Sequence, residues 1–284
     1  MTTTNLRDHA LSFRALHVAG RPLVLPNAWD AASARLIEAA GAAAVATTSA
    51  GVAWDLGAAD GDRLGGDRAL GAVARIAAAV AVPVTADIES GYAADPAGVA
   101  RTVRGVLAAG AVGVNIEDAL YEGDAEYEGP ASLRTVAGQA ERIAAARAAA
   151  DAAGVPLFVN ARIDTYLRGV GKPADRAGVT LERAAAFLAA GADGIFVPGA
   201  VDSGTVSTLV EGIDAPLNVM AGPGAPTVAE FAGLGVARIS VGSGIAQAAH
   251  AVVREAAREL LAEGTYASPA GGLDYGELNT LFAG

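Results

Sequence analysis

The sequence predicts a (β/α)8 TIM barrel folded as a single domain, and three observations carry that expectation. Eight short apolar segments rich in β-branched residues recur along the chain, alanine-rich stretches with helically spaced charges separate them, and several of those stretches stop at a glycine before the next apolar segment. Strands that alternate with helices pair in parallel through right-handed crossovers. Eight such units in a chain of 284 residues match the roughly 250 residues over which a parallel barrel closes. An open doubly wound sheet is the competing architecture. It is disfavoured because Pro26-Asn27-Ala28-Trp29-Asp30 follows the first strand, where that fold would carry a glycine-rich dinucleotide loop.

In chain order the strands are expected at 23–27, 44–48, 84–88, 113–117, 157–162, 194–198, 217–221 and 238–242. Stretches 133–153 and 181–190 show the intervening helical pattern, and Gly41, Gly110, Gly154, Gly191 and Gly235 supply helix stops. Ala-Ala-Gly-Ala recurs at 39–42, 108–111 and 189–192, each time just before a strand. After the last strand a long helix is expected at about 244–263, then a tail over 266–284 hinged at Gly271-Gly272. The expected organisation is therefore one barrel domain over 1–284, with 244–284 as C-terminal helix and tail.

Composition narrows the chemistry. The chain has 52% hydrophobic residues but only 5% aromatic ones, which suits close packing of helices on a sheet rather than a large aromatic binding surface. It has no cysteine, which excludes disulfides, thiolate nucleophiles and cysteine-ligated zinc or iron–sulfur sites. A formal charge of −11 argues against nucleic acid or an anionic membrane as partner. Arg75 and Arg147 interrupt the longest apolar runs before they reach the ~18–20 residues of a membrane span, and 1–14 does not resemble a signal peptide. A cytoplasmic protein is the expectation. Lys172 is the only lysine, and His9, His17 and His250 fall in helix-like stretches where surface or core roles are favoured. A Schiff-base lysine and a histidine base are thus poor candidates, leaving carboxylates, arginine, hydroxyls and a metal.

In such a barrel the chemistry sits at the C-terminal ends of the strands. Asp87 and Glu89 end the third strand two residues apart, so they point the same way. Two like charges there are costly without a cation or a proton between them. The fourth strand ends in Asn115, Glu117 and Asp118, the fifth in Asn160, Arg162 and Asp164, and the seventh in Asn218. Carboxylates from neighbouring strands suit a hard cation with oxygen ligands and waters better than zinc, so Mg2+ is expected, with Mn2+ as the alternative. Arg162 stands where it could clamp a substrate carboxylate or phosphoryl group. Thr48-Ser49-Ala50-Gly51 offers backbone N–H groups to an anion, and Gly242-Ser243-Gly244 is a second, weaker anion candidate. The bland alternatives are a structural salt-bridge network and simple turn chemistry.

Five motifs together resemble the isocitrate lyase/phosphoenolpyruvate mutase superfamily. They are Thr47-Thr-Ser-Ala-Gly-Val52, Leu56-Gly-Ala-Ala-Asp60, Asp87-Ile-Glu-Ser-Gly-Tyr92, Asn115-Ile-Glu-Asp118 and Asn160-Ala-Arg162, in that order within about 16–257. The resemblance implies a magnesium-dependent barrel that makes or breaks C–C or P–C bonds next to a 2-oxo acid, through an enolate of pyruvate or its analogue. It also implies a homo-oligomer, a dimer of dimers that exchanges its last helix. By position, it implies Asp87 as the direct metal ligand, with Asp60, Glu89 and Glu117 holding metal-bound waters. Arg162 would grip the substrate, and Ser49 and Ala50 would donate backbone N–H groups to its carboxylate. Thr48 and Asn218 complete the expected substrate-binding set.

The loop after the fourth strand departs from the pattern. Isocitrate lyases carry a Lys-Lys/Arg-Cys-Gly-His element there and the mutases a Lys-x-Asn element, whereas this chain reads Ala119-Leu-Tyr-Glu-Gly-Asp-Ala-Glu-Tyr-Glu-Gly-Pro-Ala131. Tyr121 or Tyr127 is then the expected proton donor. The acids Glu122, Asp124, Glu126 and Glu128 argue for a small or weakly charged substrate. The leading expectation is a lyase or decarboxylase acting on a short 2-oxo acid or its aldol-type adduct. The alternatives are a P–C bond enzyme of the phosphonopyruvate or carboxyphosphonoenolpyruvate mutase type and a metabolite-binding barrel without turnover.

Overall fold

The computed structural model describes residues 3–283. Its first strand is broken at Pro26, which has no N–H to give a ladder, into β1 (Leu23–Leu25) and β2 (Asn27–Ala28). There follow β3 (Val45–Thr47), β4 (Val84–Asp87), β5 (Gly113–Glu117), β6 (Phe158–Arg162), β7 (Gly194–Phe196), β8 (Leu217–Met220) and β9 (Arg238–Ser240). All pair in parallel, in the order β1-β9-β8-β7-β6-β5-β4-β3-β2. The two pieces of the broken strand pair at opposite ends of that order, Leu23–Leu25 with Arg238–Ser240 and Asn27 and Ala28 with Ala46 and Thr47. The sheet thereby closes on itself as the predicted barrel.

Caps written into the sequence open the outer helices. Asp30 opens α2 (Ala31–Ala39) through a capping box with Ser33. Asp95 caps α5 (Pro96–Ala108) and Thr135 caps α6 (Val136–Ala152), each accepting from a first-turn amide. Helix α7 (Arg176–Ala189) begins ahead of the expected 181 because Pro173 starts a 3-10 turn that runs directly into it.

Two parts of the fold carry no signal in the strand pattern. Helix α1 (Thr3–Ala15) seals the floor of the barrel. Its Phe13 is fully buried and meets Phe158 edge-on at 5.8 Å. Gly113 is required beside it, because a Cβ there would stand 2.8 Å from Phe13 Cε1 and 2.7 Å from Thr85 Oγ1. At the other terminus α10 (Gly244–Ala262) buries only Ala246 and leaves Val253 67% and Leu261 87% exposed. The tail then forms a further helix, α11 (Tyr275–Thr280), capped by Asp274. Among the described residues no helix is long and apolar enough to cross a membrane.

Candidate active site

A layer of amides underlies the mouth of the barrel. Asn160 Nδ2 donates to Asn115 Oδ1 at 2.9 Å and to Asn218 Oδ1 at 3.0 Å. Asn218 Nδ2 in turn donates to the Val219 carbonyl at 2.7 Å, so Asn218 is 1% exposed and engaged within the interior. Arg238, fully buried, donates from Nη2 to Asn115 Oδ1 at 3.2 Å. Among the described residues its Nε and Nη1 have no hydrogen-bond partner, and burial pulls the guanidinium down to about 9 against the opposing charge of Asp87. Asn27 ties the broken first strand across the barrel, giving Nδ2 to the Thr47 carbonyl and accepting from Val241 N–H.

Above this layer the acids gather. Asp87 ends β4, donates its own N–H to Thr47 Oγ1 at 2.9 Å, and carries a carboxylate hydrogen-bonded by Ser49 and by Glu89 N–H. Burial raises the Asp87 carboxyl above its usual range, Arg162 opposes that shift, and Asp60 adds to it. Glu89 sits in the left-handed region at φ 49° and is 1% exposed. Burial, with the charges of Asp62, Asp60 and Asp87, pushes its carboxyl up to about 8. Its Oε1 accepts from Tyr92 OH at 3.0 Å and its Oε2 from Asp62 N–H. Asp60 itself stands exposed on the loop after α3 (Ser49–Asp55).

Asp62 was not among the expected site residues. It adopts φ 58°, and its carboxylate accepts the Ser90 hydroxyl while its amide holds Glu89. This reciprocal clasp fastens the Asp60 loop to the turn after β4. Asp60-Gly61-Asp62 reads in sequence only as turn chemistry, so the clasp was invisible there. Arg142, 3% exposed, secures the same turn by donating to the carbonyls of Ser90 and Ala93.

Arg162 ends β6 and is more heavily engaged than a free substrate clamp. Asp164 takes Nε at 2.6 Å and Nη2 at 2.9 Å, while Nη1 lies 2.5 Å from Glu117 Oε2. Burial alone would lower the guanidinium, but the charges of Asp164 and Glu117 hold it well above its ordinary value, so it stays charged. The hydrogen bonds to Asp164 use two of the five N–H groups of an arginine, one on Nε and one on Nη2, and the Nη1 contact is an ion pair without hydrogen-bond alignment, so N–H groups remain on both terminal nitrogens. Burial also raises Glu117 well above the carboxylate range, with Arg162 opposing and Asp164 and Asp87 adding. Glu117 Oε2 touches Arg162 as an ion pair but accepts no aligned hydrogen bond, whereas its Oε1 takes the Tyr121 hydroxyl.

Thr48, Ser49 and Ala50 are buried at the opening of α3, with Thr48 as the cap residue. The first-turn amides of a helix have no acceptor four residues back, so those of Ser49 and Ala50 are available to a ligand. Gly51 must stay glycine, because a Cβ would meet Thr48 Cγ2 and Trp29 Cβ, both at 2.8 Å. Ser243 opens α10 without a side-chain cap bond, and Gly242 before it holds φ 55° against Met220.

Two of the four loop acids have arginine partners. Glu122 pairs with Arg63 at 3.1 Å and Asp124 with Arg134 at 3.3 Å. Asp60, Arg63, Tyr121, Glu122, Tyr127 and Arg168 help to line a cleft of about 310 Å³ beside the acid cluster. Asp118, expected beside Glu117, turns away from the mouth and accepts from Arg183 Nε at 2.7 Å and Asp164 N–H at 2.9 Å.

The family model described as phosphoenolpyruvate phosphomutase matches residues 13–261. The chain belongs to the phosphoenolpyruvate phosphomutase family. An uncharacterised protein of Mycobacterium tuberculosis is 41% identical over 251 residues, covering 85% of this chain and 87% of the relative. The 2-methylisocitrate lyase of Escherichia coli K12 is 28% identical over 75% of this chain and 70% of its own. Among solved structures, a Burkholderia cenocepacia J2315 protein provisionally described as a lyase/mutase superposes with TM-score 0.89 at 37% identity, covering 99% and 98% of the two chains. A phosphonopyruvate hydrolase complexed with oxalate and Mg2+ superposes with TM-score 0.82 at 25% identity, covering 96% and 94%. Lyases and mutases thus populate this family, and the barrel is its fold.

The residues fit the divalent cation that the family implies. Asp87, Glu89 and Glu117 are carboxylates whose burial and mutual repulsion disfavour their charged forms. Among the described residues, no three acids or imidazoles lie close enough together to chelate an ion directly. Carboxylate oxygens are the donors a hard cation such as magnesium takes, rather than those zinc favours.

Proposed function

We propose that the protein is a magnesium-dependent lyase that cleaves a C–C bond in a short 2-oxo acid or its aldol-type adduct and releases a pyruvate-like product. The observation that carries the reading is the convergence of Asp87, Glu89 and Glu117 with Arg162, whose terminal nitrogens keep N–H groups that can hold a carboxylate. Asp87 would hold the cation directly, and Asp60, Glu89 and Glu117 would hold its waters. Bound there, the cation would neutralise charge that develops on the substrate's 2-oxo group. Ser49 and Ala50 would offer amides to the carboxylate, with Thr48 behind them and Asn218 in the supporting layer below. Tyr121, whose hydroxyl lies on Glu117 Oε1 at the edge of the acid cluster, would give the proton that the product carbon needs.

The 28% identical 2-methylisocitrate lyase supports C–C chemistry, and the oxalate and Mg2+ of the phosphonopyruvate hydrolase complex support the metal. The latter relative and the family model also favour a second reading, a P–C bond enzyme. Metal-dependent pyruvate release from a panel of 2-oxo acids and 2-alkylmalates tests the first reading, and phosphorus NMR of phosphonates incubated with enzyme and Mg2+ tests the second. Asp87→Ala should abolish the release; unchanged turnover would remove Asp87 from the site. Oxalate binding without turnover on either panel would indicate a binding barrel.

The same reading extends to assembly: a cytoplasmic homo-oligomer, a dimer of dimers in which α10 and the tail over 244–284 of a single-domain chain pass to a neighbour. The exposed Val252, Val253, Leu260 and Leu261 of α10 support it.

A further inference from the structure

Arg168 lies one helical-type turn beyond Asp164 and grips both margins of the loop over 119–131. Its Nη1 donates to the Leu120 carbonyl at 2.9 Å and the Pro130 carbonyl at 3.0 Å. Its guanidinium carbon stands 4.8 Å from the centre of the Tyr121 ring, and Nε is 3.5 Å from Asp164 Oδ2. Asp164 holds Arg162, Arg162 meets Glu117, and Glu117 takes the Tyr121 hydroxyl. The five side chains close a ring that returns to Arg168 through the face of Tyr121.

The loop has two other charge pairs, and the one between Arg134 and Asp124, 12% and 26% exposed, ties Asp124 rather than the Tyr121 ring. The Arg63–Glu122 pair is 55% and 81% exposed, so solvent screens it, whereas the Arg168 side chain is 16% exposed. A tyrosine on a loop without regular structure has rotamers to lose before its hydroxyl can be aimed. A guanidinium over the ring fixes the ring plane. Gly61 leaves room for the ring, since a Cβ there would stand 2.9 Å from Tyr121 Cε1.

We propose that Arg168 is a positioning residue that latches the 119–131 loop and thereby aims the Tyr121 hydroxyl at Glu117. Arg168 faces the Tyr121 ring rather than its oxygen, so it acts through Tyr121. The proposal rests on the reading that Tyr121 and Glu117 belong to the active site, but its first readout does not.

The test is hydrogen exchange of loop peptides, followed by mass spectrometry, in the full-length wild type, Arg168→Met and Arg168→Lys, with kcat, KM and Mg2+–oxalate affinity measured alongside. Arg168→Met keeps a long stem but no donors, so loop amides should exchange about tenfold faster while barrel peptides are unchanged. kcat should fall about tenfold with oxalate affinity within about twofold of wild type, because a mis-aimed donor costs the chemical step and not binding. Arg168→Lys, which keeps the charge without the fork, should fall between the two. Loop exchange equal to wild type in Arg168→Met would overturn the latch. Faster loop exchange together with full activity in Tyr121→Phe would instead keep the latch and remove Tyr121 from the chemistry.

Discussion

Replacing His17 should change how the protein's stability depends on pH, because this half-buried imidazole sits in the barrel floor next to a second positive charge. Its Nδ1 hydrogen is placed to donate to the Phe13 carbonyl at 2.9 Å, its ring stacks on Phe158 at 3.9 Å, and its Nε2 has no hydrogen-bond partner among the described residues. Burial first, then the charge of Arg238, lowers its pKa from 6.5 to about 3, with Arg14 adding to the effect. The folded state therefore refuses a proton that the unfolded chain accepts below 6.5, and stability present above that value is lost as pH falls toward 3. At pH 5 the unfolded chain gains about 1.5 pK units of proton binding that the fold forgoes, worth about 2 kcal/mol. His17→Phe keeps the stack and removes the titration. Urea unfolding at pH 7 and pH 5 should show wild type losing about 2 kcal/mol more than the variant between the two. Equal losses would refute the placement of His17 beside Arg238 beneath the amide layer.

Four further outcomes are expected. Tyr121→Phe, which keeps the ring under Arg168 but not the hydroxyl on Glu117, should lower kcat while leaving the thermal midpoint near wild type; a calorimetric scan beside the turnover assay checks both. Arg183→Met leaves Asp118 buried and unpaired, and denaturant unfolding should show a loss of about 3–5 kcal/mol. Gly113→Ala forces a methyl against Thr85 and Phe13 in the floor and should cost about 1–3 kcal/mol in the same assay. Val253→Asp with Leu261→Asp charges the bare face of α10 and should reduce the assembly's mass in analytical ultracentrifugation.

What could be read in the sequence is what repeats. Most barrel strands are short apolar runs, several of them after a glycine stop, so all eight segments were placed to within a few residues, and even the Pro26 break falls inside the first of them. Helix α1 repeats nothing, and its role rests on Phe13 meeting Phe158 and Gly113 far along the chain. Candidate residues were legible as types at strand ends, so Asp87, Glu89, Glu117 and Arg162 are found together. Their partners were not: the Asp164 grip on Arg162, the Asp62 clasp on Glu89 and the Arg63 and Arg134 pairs on the loop acids depend on loop paths that no periodicity encodes. Those pairs also change the view of the acidic loop, because Asp124 and Glu122 each have an arginine beside them.

The most direct test of the metal-centred reading is a crystal structure grown with Mn2+ and oxalate, measured with anomalous scattering at the manganese edge. A single manganese peak bonded to Asp87 is expected, with oxalate in reach of the Arg162 terminal nitrogens and the Ser49 and Ala50 amides. Manganese bound away from Asp87, or oxalate held elsewhere with no contact to Arg162, would contradict it.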